Sequence, residues 1–171
     1  MVFSYYKKLS SVQKRIYEQS DAIISVPLPD AEELQPLVPL LSTALTQEDR
    51  EHVENICRKL SLGIAGRLAV PPLRVKVLAV RPSASWGELH GLYEPAEGRA
   101  SAIITLWMRT AKHRRVVAFK TFLRTLLHEL CHHLDYELYK LNDSFHTEGF
   151  YKRESSLFHQ LAGVPRSTNV K

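Results

Sequence analysis

Two histidines, His128 and His132, stand four residues apart with Glu129 beside the first, inside the run TFLRTLLHELCHHLDYEL from Thr121 to Leu138. The pattern is H-E-x-x-H. On a helix this spacing puts both imidazoles on one face, about one turn apart. There they can share a single Zn²⁺, with the glutamate in reach of water at the ion. The chemistry that suits such a set is metal-assisted hydrolysis, with Glu129 as general base.

A catalytic zinc takes three protein ligands and keeps a position for water. His146 is the expected third ligand. Thirteen residues separate it from His132, enough for the chain to turn after Leu141-Asn142-Asp143 and come back. Asp143, Glu148 and Glu154 are the competitors, Glu154 foremost. His133 lies roughly 140° from His128 on a helical wheel and is not expected on the same ion. Asp135 is a candidate partner for a ligating imidazole, because ligand histidines donate their second N–H to an oxygen, or else a salt-bridge partner. Tyr151, Arg153 and His133 are candidates to steady developing charge on a substrate oxygen. His52, His90, His113 and His159 have no ligand spacing and read as surface or packing residues.

The helix that must carry the pair has a face for each task. Thr121, Thr125 and His132 lie within about 60° of His128, while Phe119, Leu123, Leu126, Leu130 and Leu134 fall on the opposite half. Cys131, between the ligands, reads as a packing residue. Thr147-Glu148 is a cap signal for a last helix running through Phe150, Leu157 and Leu161 to Gly163, which would hold His146 still.

The 171 residues suit one domain with a real core, and residues 1–171 are read as a single unit. Two cysteines, Cys57 and Cys131, exclude a disulfide framework and a cysteine-based zinc module. The N-terminus has no apolar run of a secretory signal, and prolines and acids interrupt the stretch from Ala22 to Leu45. The expectation is a soluble, intracellular protein with no membrane partner. Net charge is +5 and the isoelectric point about 9.3. The basic residues concentrate at Arg109, Lys112, Arg114, Arg115, Lys120 and Arg124, leading into the metal helix. They read as a solvated rim or as a contact for DNA phosphates.

Along the chain, residues 1–70 read as helical. One helix runs from Lys7 to Ala22 with Ser10 or Ser11 as cap. A second starts near Asp30 and meets Pro36 and Pro39. A third is capped near Thr46, with Asp49 three residues on, and ends at Gly66. Residues 71–163 form the expected catalytic core, and 164–171 a tail. Strands are expected at 73–80, from Trp86 to Tyr93, and from Ser101 to Met108. Strands grouped ahead of helices predict an α+β fold with a small, mainly antiparallel sheet of about three strands.

From roughly Arg74 to Leu161 the sequence resembles the SprT-like (Spartan-type) zinc metallopeptidases. The resemblance rests on the Gly91-Leu92-Tyr93 and Ile103-Ile104-Thr105-Leu106 strands, on Thr125-Leu126-Leu127-His128-Glu129-Leu130-Cys131-His132, and on His146 with Gly149-Phe150. The family's third histidine opens an H-G-x-x-F-like segment. Here it reads His146-Thr147-Glu148-Gly149-Phe150, with the glycine displaced. The extra zinc-binding cysteines of many relatives are absent. The resemblance implies a zincin fold, one catalytic Zn²⁺ and a peptide or protein substrate laid along a strand beside the metal helix, here Ser101–Met108. Some relatives act on proteins attached to DNA. The rival readings are a zinc-containing module that binds DNA or protein without cleaving, a metal-dependent hydrolase of another bond, and a helical interaction protein without metal.

Overall fold

A computed structural model describes residues 3–85 and 87–163. The expected tail at 164–171 and Trp86, at the start of the second expected strand, lie outside the described residues. Helix α1 is Ser11–Ala22, preceded by a 3₁₀ turn at Ser4–Lys8. Its start is four residues later than Lys7 because Ser10 closes a capping box. The Ser10 hydroxyl accepts from Gln13 N–H at 3.2 Å, and Gln13 Oε1 accepts from Ser10 N–H at 3.0 Å.

The helical pattern from Asp30 is split. A short 3₁₀ turn, Ala31–Glu33, ends before Pro36, and α2 runs Leu37–Thr46. Helix α3 is Arg50–Arg67, and its cap is Asp49, which accepts from His52 N–H at 3.0 Å. Thr46, expected near that cap, instead closes α2, where its hydroxyl donates to Ser42 O at 3.0 Å. A left-handed turn at Glu48, φ 58°, redirects the chain between the two helices.

The sheet is mixed, not mainly antiparallel. Strands β1 (Arg74–Val80), β4 (Gly91–Glu94) and β5 (Ile103–Arg109) stand in the order β1-β5-β4. β5 lies parallel to β1 and antiparallel to β4. The second expected strand is broken: its first part, β3 (Gly87–Glu88), pairs with β2 (Ser83–Ala84), ahead of the expected strand, in a separate antiparallel ribbon, and only Gly91–Glu94 joins the main sheet. β5 inserts between β1 and β4, which explains its unbroken buried run from Ile104 to Met108. Ser101–Met108 therefore cannot receive a peptide, since both its sides are paired. The outer edge of β1 is also closed: Arg50 donates to Val77 O at 2.9 Å and Val77 N–H donates to Glu54 at 2.9 Å. The edge left beside the helix that carries His128 and His132 is β4.

Helix α4 (Phe119–Glu137) lies against β4 and β5, and α5 (Glu148–Ala162) packs on α4. The leucine face behaves as its periodicity predicts: Leu123, Leu126, Leu130 and Leu134 are buried in one core continuous with α2, α3, β1 and β5. Thr147 caps α5, accepting from Phe150 N–H at 2.9 Å, and Gly163 ends it at φ 66°. Among the described residues no helix is long and apolar enough to cross a membrane.

Candidate metal centre

Helix α4 presents His128 and His132 on one side, and the loop from Leu141 to Thr147 returns His146 to them. His146 Nε2 lies 3.0 Å from Nε2 of His128 and 3.0 Å from Nε2 of His132. Among the described residues these three form a group able to hold a metal ion. A tetrahedral ion with Zn–N bonds of about 2.0–2.1 Å sets its nitrogens about 3.3 Å apart, so the spacing suits it.

The outer nitrogens decide which inner nitrogens carry protons. His128 Nδ1 donates to Glu154 Oε2 at 3.2 Å. The Ser144 hydroxyl donates to Asp135 Oδ2 at 2.7 Å, so at its other contact, 2.7 Å from His132 Nδ1, it accepts. Both imidazoles, while neutral, thus turn bare Nε2 lone pairs toward one point. Lone pairs at such separations repel unless a cation sits among them, which is the fit a metal requires. Burial and the neighbouring imidazoles hold His132 down to about 3. His146 keeps an exposed edge, but its inner side is desolvated against His128, and its pKa falls to about 4. Both rings are therefore neutral, as ligands must be, at physiological pH.

Glu129 sits at the base of a cavity of about 700 Å³ lined by β4, the polar face of α4, Ser144 and His146. Burial raises its carboxyl to about 7, against the pull of His128 and of Tyr93 N–H. It packs against a missing side chain: a Cβ on Gly91 would fall 2.5 Å from Glu129 Oε1 and 2.8 Å from Glu129 Cγ. An isolated glycine in a strand is the signal for such a close approach, a role not assigned to Gly91 from the sequence.

Arg153 is not an oxyanion donor. It is fully buried, and its guanidinium donates to Asp135 Oδ1 at 2.7 Å and to Ser20 O and Ile23 O, each at 2.6 Å. Its planar cation also sits 5.5 Å from the Tyr139 ring centroid and 5.6 Å from that of Phe150. Asp135 is the carboxylate partner anticipated for a ligand histidine, acting through Ser144, which carries no signal in sequence. Burial pushes the Asp135 carboxyl up while Arg153 and Ser144 pull it down. His133 is likewise no oxyanion donor. Its Nε2–H donates to Pro71 O at 2.8 Å and its Nδ1 accepts from Tyr93 O–H at 3.0 Å, so both nitrogens are occupied. The Tyr93 ring in turn stacks on His132, centroids 6.3 Å apart. Tyr151 stays exposed with its ring 6.0 Å from His146 and 6.1 Å from His128.

The competing ligands have other partners. Asp143 accepts from Ser144 N–H, and Glu148 pairs with Lys152. Glu154 pairs with Arg124 besides His128. His90, read as surface or packing, lines the cavity beside Gly91. Arg109 is tied to Glu48 and to Arg114 O, while Lys112, Arg114 and Arg115 are exposed on the loop that follows β5. Comparison with protein-family models, with curated proteins and with solved structures gives no match.

Proposed function

We propose that this chain is a zinc-dependent metallopeptidase of the SprT-like, zincin kind, with His128, His132 and His146 as ligands and Glu129 as general base. One observation carries the reading: three Nε2 atoms converge, two with their protons directed outward by Glu154 and Ser144, beside a buried carboxylate at the base of a cleft. A site kept only for structure has no use for that carboxylate or for that cleft.

Zinc bound there supplies Lewis acidity, bringing water toward ionisation near neutral pH and polarising a carbonyl oxygen. Glu129 accepts the proton of the attacking water and returns it to the departing amine nitrogen. In the metal-free protein burial already lifts this carboxyl above its ordinary range, the direction a group that must take up a proton requires. The outer edge of β4, whose Tyr93 N–H faces Glu129, is the strand edge available to the main chain of an extended peptide, a mode that gives affinity with little side-chain preference. Of the three residues expected to steady charge on the carbonyl oxygen, Tyr151 alone keeps an exposed side chain beside the histidines.

The test is hydrolysis of an unfolded protein such as casein. Cleavage should stop on zinc removal by a chelator and return with zinc. A zinc-loaded protein that leaves unfolded substrates intact would shift the chain to a binding role. Gly91→Ala tests the geometry of the base. Its methyl group pushes the Glu129 carboxylate aside, so hydrolysis should drop by roughly ten-fold or more, by analogy with small misplacements in other sites. Zinc content should stay at the wild-type level, because the atoms the added methyl meets first belong to Glu129 and Thr125 and not to a histidine.

A further inference from the structure

The third ligand stands on an exposed loop with little backbone bonding of its own. Between Asn142 and His146 the loop has no helix or strand ladder to fix it. Ser144 ties it to α4, and its other support comes from the opposite end of the chain. Tyr5 O–H donates to the main-chain oxygen of His146 at 2.9 Å. One residue earlier, the Phe145 ring lies 6.2 Å from Tyr17, which in turn meets Tyr5 at 5.9 Å. One residue later, Thr147 Oγ1 lies 3.4 Å from Ser20 Oγ, both fully buried. Gly149 N–H then donates to the Asp21 carboxylate at 2.9 Å. A Cβ on Gly149 would collide with the backbone carbonyls of Ser20 and Asp21, so the glycine lets α1 and α5 meet main chain to main chain.

We propose that the N-terminal segment Phe3–Ala22 is a clamp on the third ligand, with Tyr5 and Asp21 as positioning residues for His146. The inference rests on the proposed metal centre and adds to it a part that lies more than a hundred residues away in sequence. The clamp grips the loop on both sides of the histidine: Tyr5 at the ligand itself, Asp21 at the helix start that follows it. An imidazole held in this way loses little freedom when it takes up a metal, so the clamp appears in metal affinity. Loosening it lets His146 swing away while His128 and His132, on the rigid helix α4, remain paired.

Full-length Tyr5→Phe keeps the ring contacts and removes only the hydroxyl. Its zinc affinity, measured by competition with a chromophoric chelator, should fall about 3- to 10-fold, the worth of one hydrogen bond. The Co²⁺ absorption spectrum should change with it, while the melting temperature of the metal-free protein falls by no more than about 2–4 °C, the worth of one hydrogen bond in a chain of this length. Asp21→Ala should weaken zinc in the same direction, and Asp21→Asn, which keeps an acceptor for Gly149 N–H, should recover most of the loss. Amide hydrogen exchange of metal-free Tyr5→Phe should be faster than wild type across Phe145–Gly149. Zinc affinity within two-fold of wild type in both Tyr5→Phe and Asp21→Ala, with unchanged exchange at that loop, would overturn the clamp. A wild type that binds no zinc would instead defeat the metallopeptidase reading, and the exchange comparison would still decide whether the N-terminus holds the loop.

Discussion

Glu129→Gln should retain zinc at the wild-type level and lose peptide hydrolysis by roughly 10²–10⁴-fold, the range that general acid–base groups contribute. The substitution is nearly isosteric, so the packing against Gly91 survives, and Glu129 makes no contact through which it would serve as a ligand. The amide has no basic oxygen to accept a proton from water. The same change carries a stability signature in the metal-free protein. The folded pKa of Glu129, about 7, lies above its ordinary 4.5, so the buried group is more comfortable protonated. Wild-type stability relative to the Gln variant is therefore greatest below about 4.5 and declines as pH rises through about 7. Above that window the variant should be the more stable protein, by on the order of 2 kcal/mol. Thermal melts of both proteins between pH 4 and pH 8, with chelator present, would reveal the crossing, and parallel curves would contradict the burial argument. Equal hydrolysis by both proteins would remove Glu129 from its role.

Asp135→Ala is expected to be the most damaging single change outside the ligands. Asp135 and Arg153 are both fully shielded from solvent, and their contact is 2.7 Å. Removing the carboxylate leaves a guanidinium that cannot shed its charge in an apolar setting. Breaking a buried pair from one side costs about 3–5 kcal/mol. The loss also spreads to the metal centre, because Ser144 loses the acceptor that turns its oxygen toward His132 Nδ1. Zinc affinity should fall about 10- to 100-fold, as it does when the outer partner of a ligand histidine is removed. Ser144→Ala separates the two effects: it should weaken zinc while leaving the Arg153 pair and most of the stability intact. Urea unfolding and zinc competition on both variants check the pattern. An Asp135→Ala protein as stable as wild type would mean that Arg153 finds other compensation among Ser20 and Ile23.

The parts that were legible in sequence are the locally encoded ones. The leucine stripe and the histidine spacing on α4 follow from helical period alone, and Thr147 and Gly163 mark the ends of α5 by their own chemistry. The sequence leaves the cap of α3 open between Thr46 and Asp49, because two acceptors three residues apart both suit a helix start. Sheet order was not legible. Nothing in Ile103–Arg109 says that it enters between β1 and β4, since strand pairing is set by contacts distant in sequence. The same holds for the supports of the ligands. Ser144 joins His132 to Asp135 only after the loop has folded back, and Arg153 reads as a candidate for a substrate oxygen until α1 and Asp135 bury it. The fold thus places outer partners where periodicity is silent, while the ligand pair itself sits on a helix whose pattern announces it.

The most direct measurement is the zinc content of protein purified without chelator, compared with His128→Ala, His132→Ala and His146→Ala. The account predicts close to one equivalent per wild-type chain, and a sharp loss from each of the three variants, with Glu154→Ala retaining most of the metal. Wild-type protein with well under one equivalent, or a His146→Ala variant that binds zinc as tightly as wild type, would contradict it.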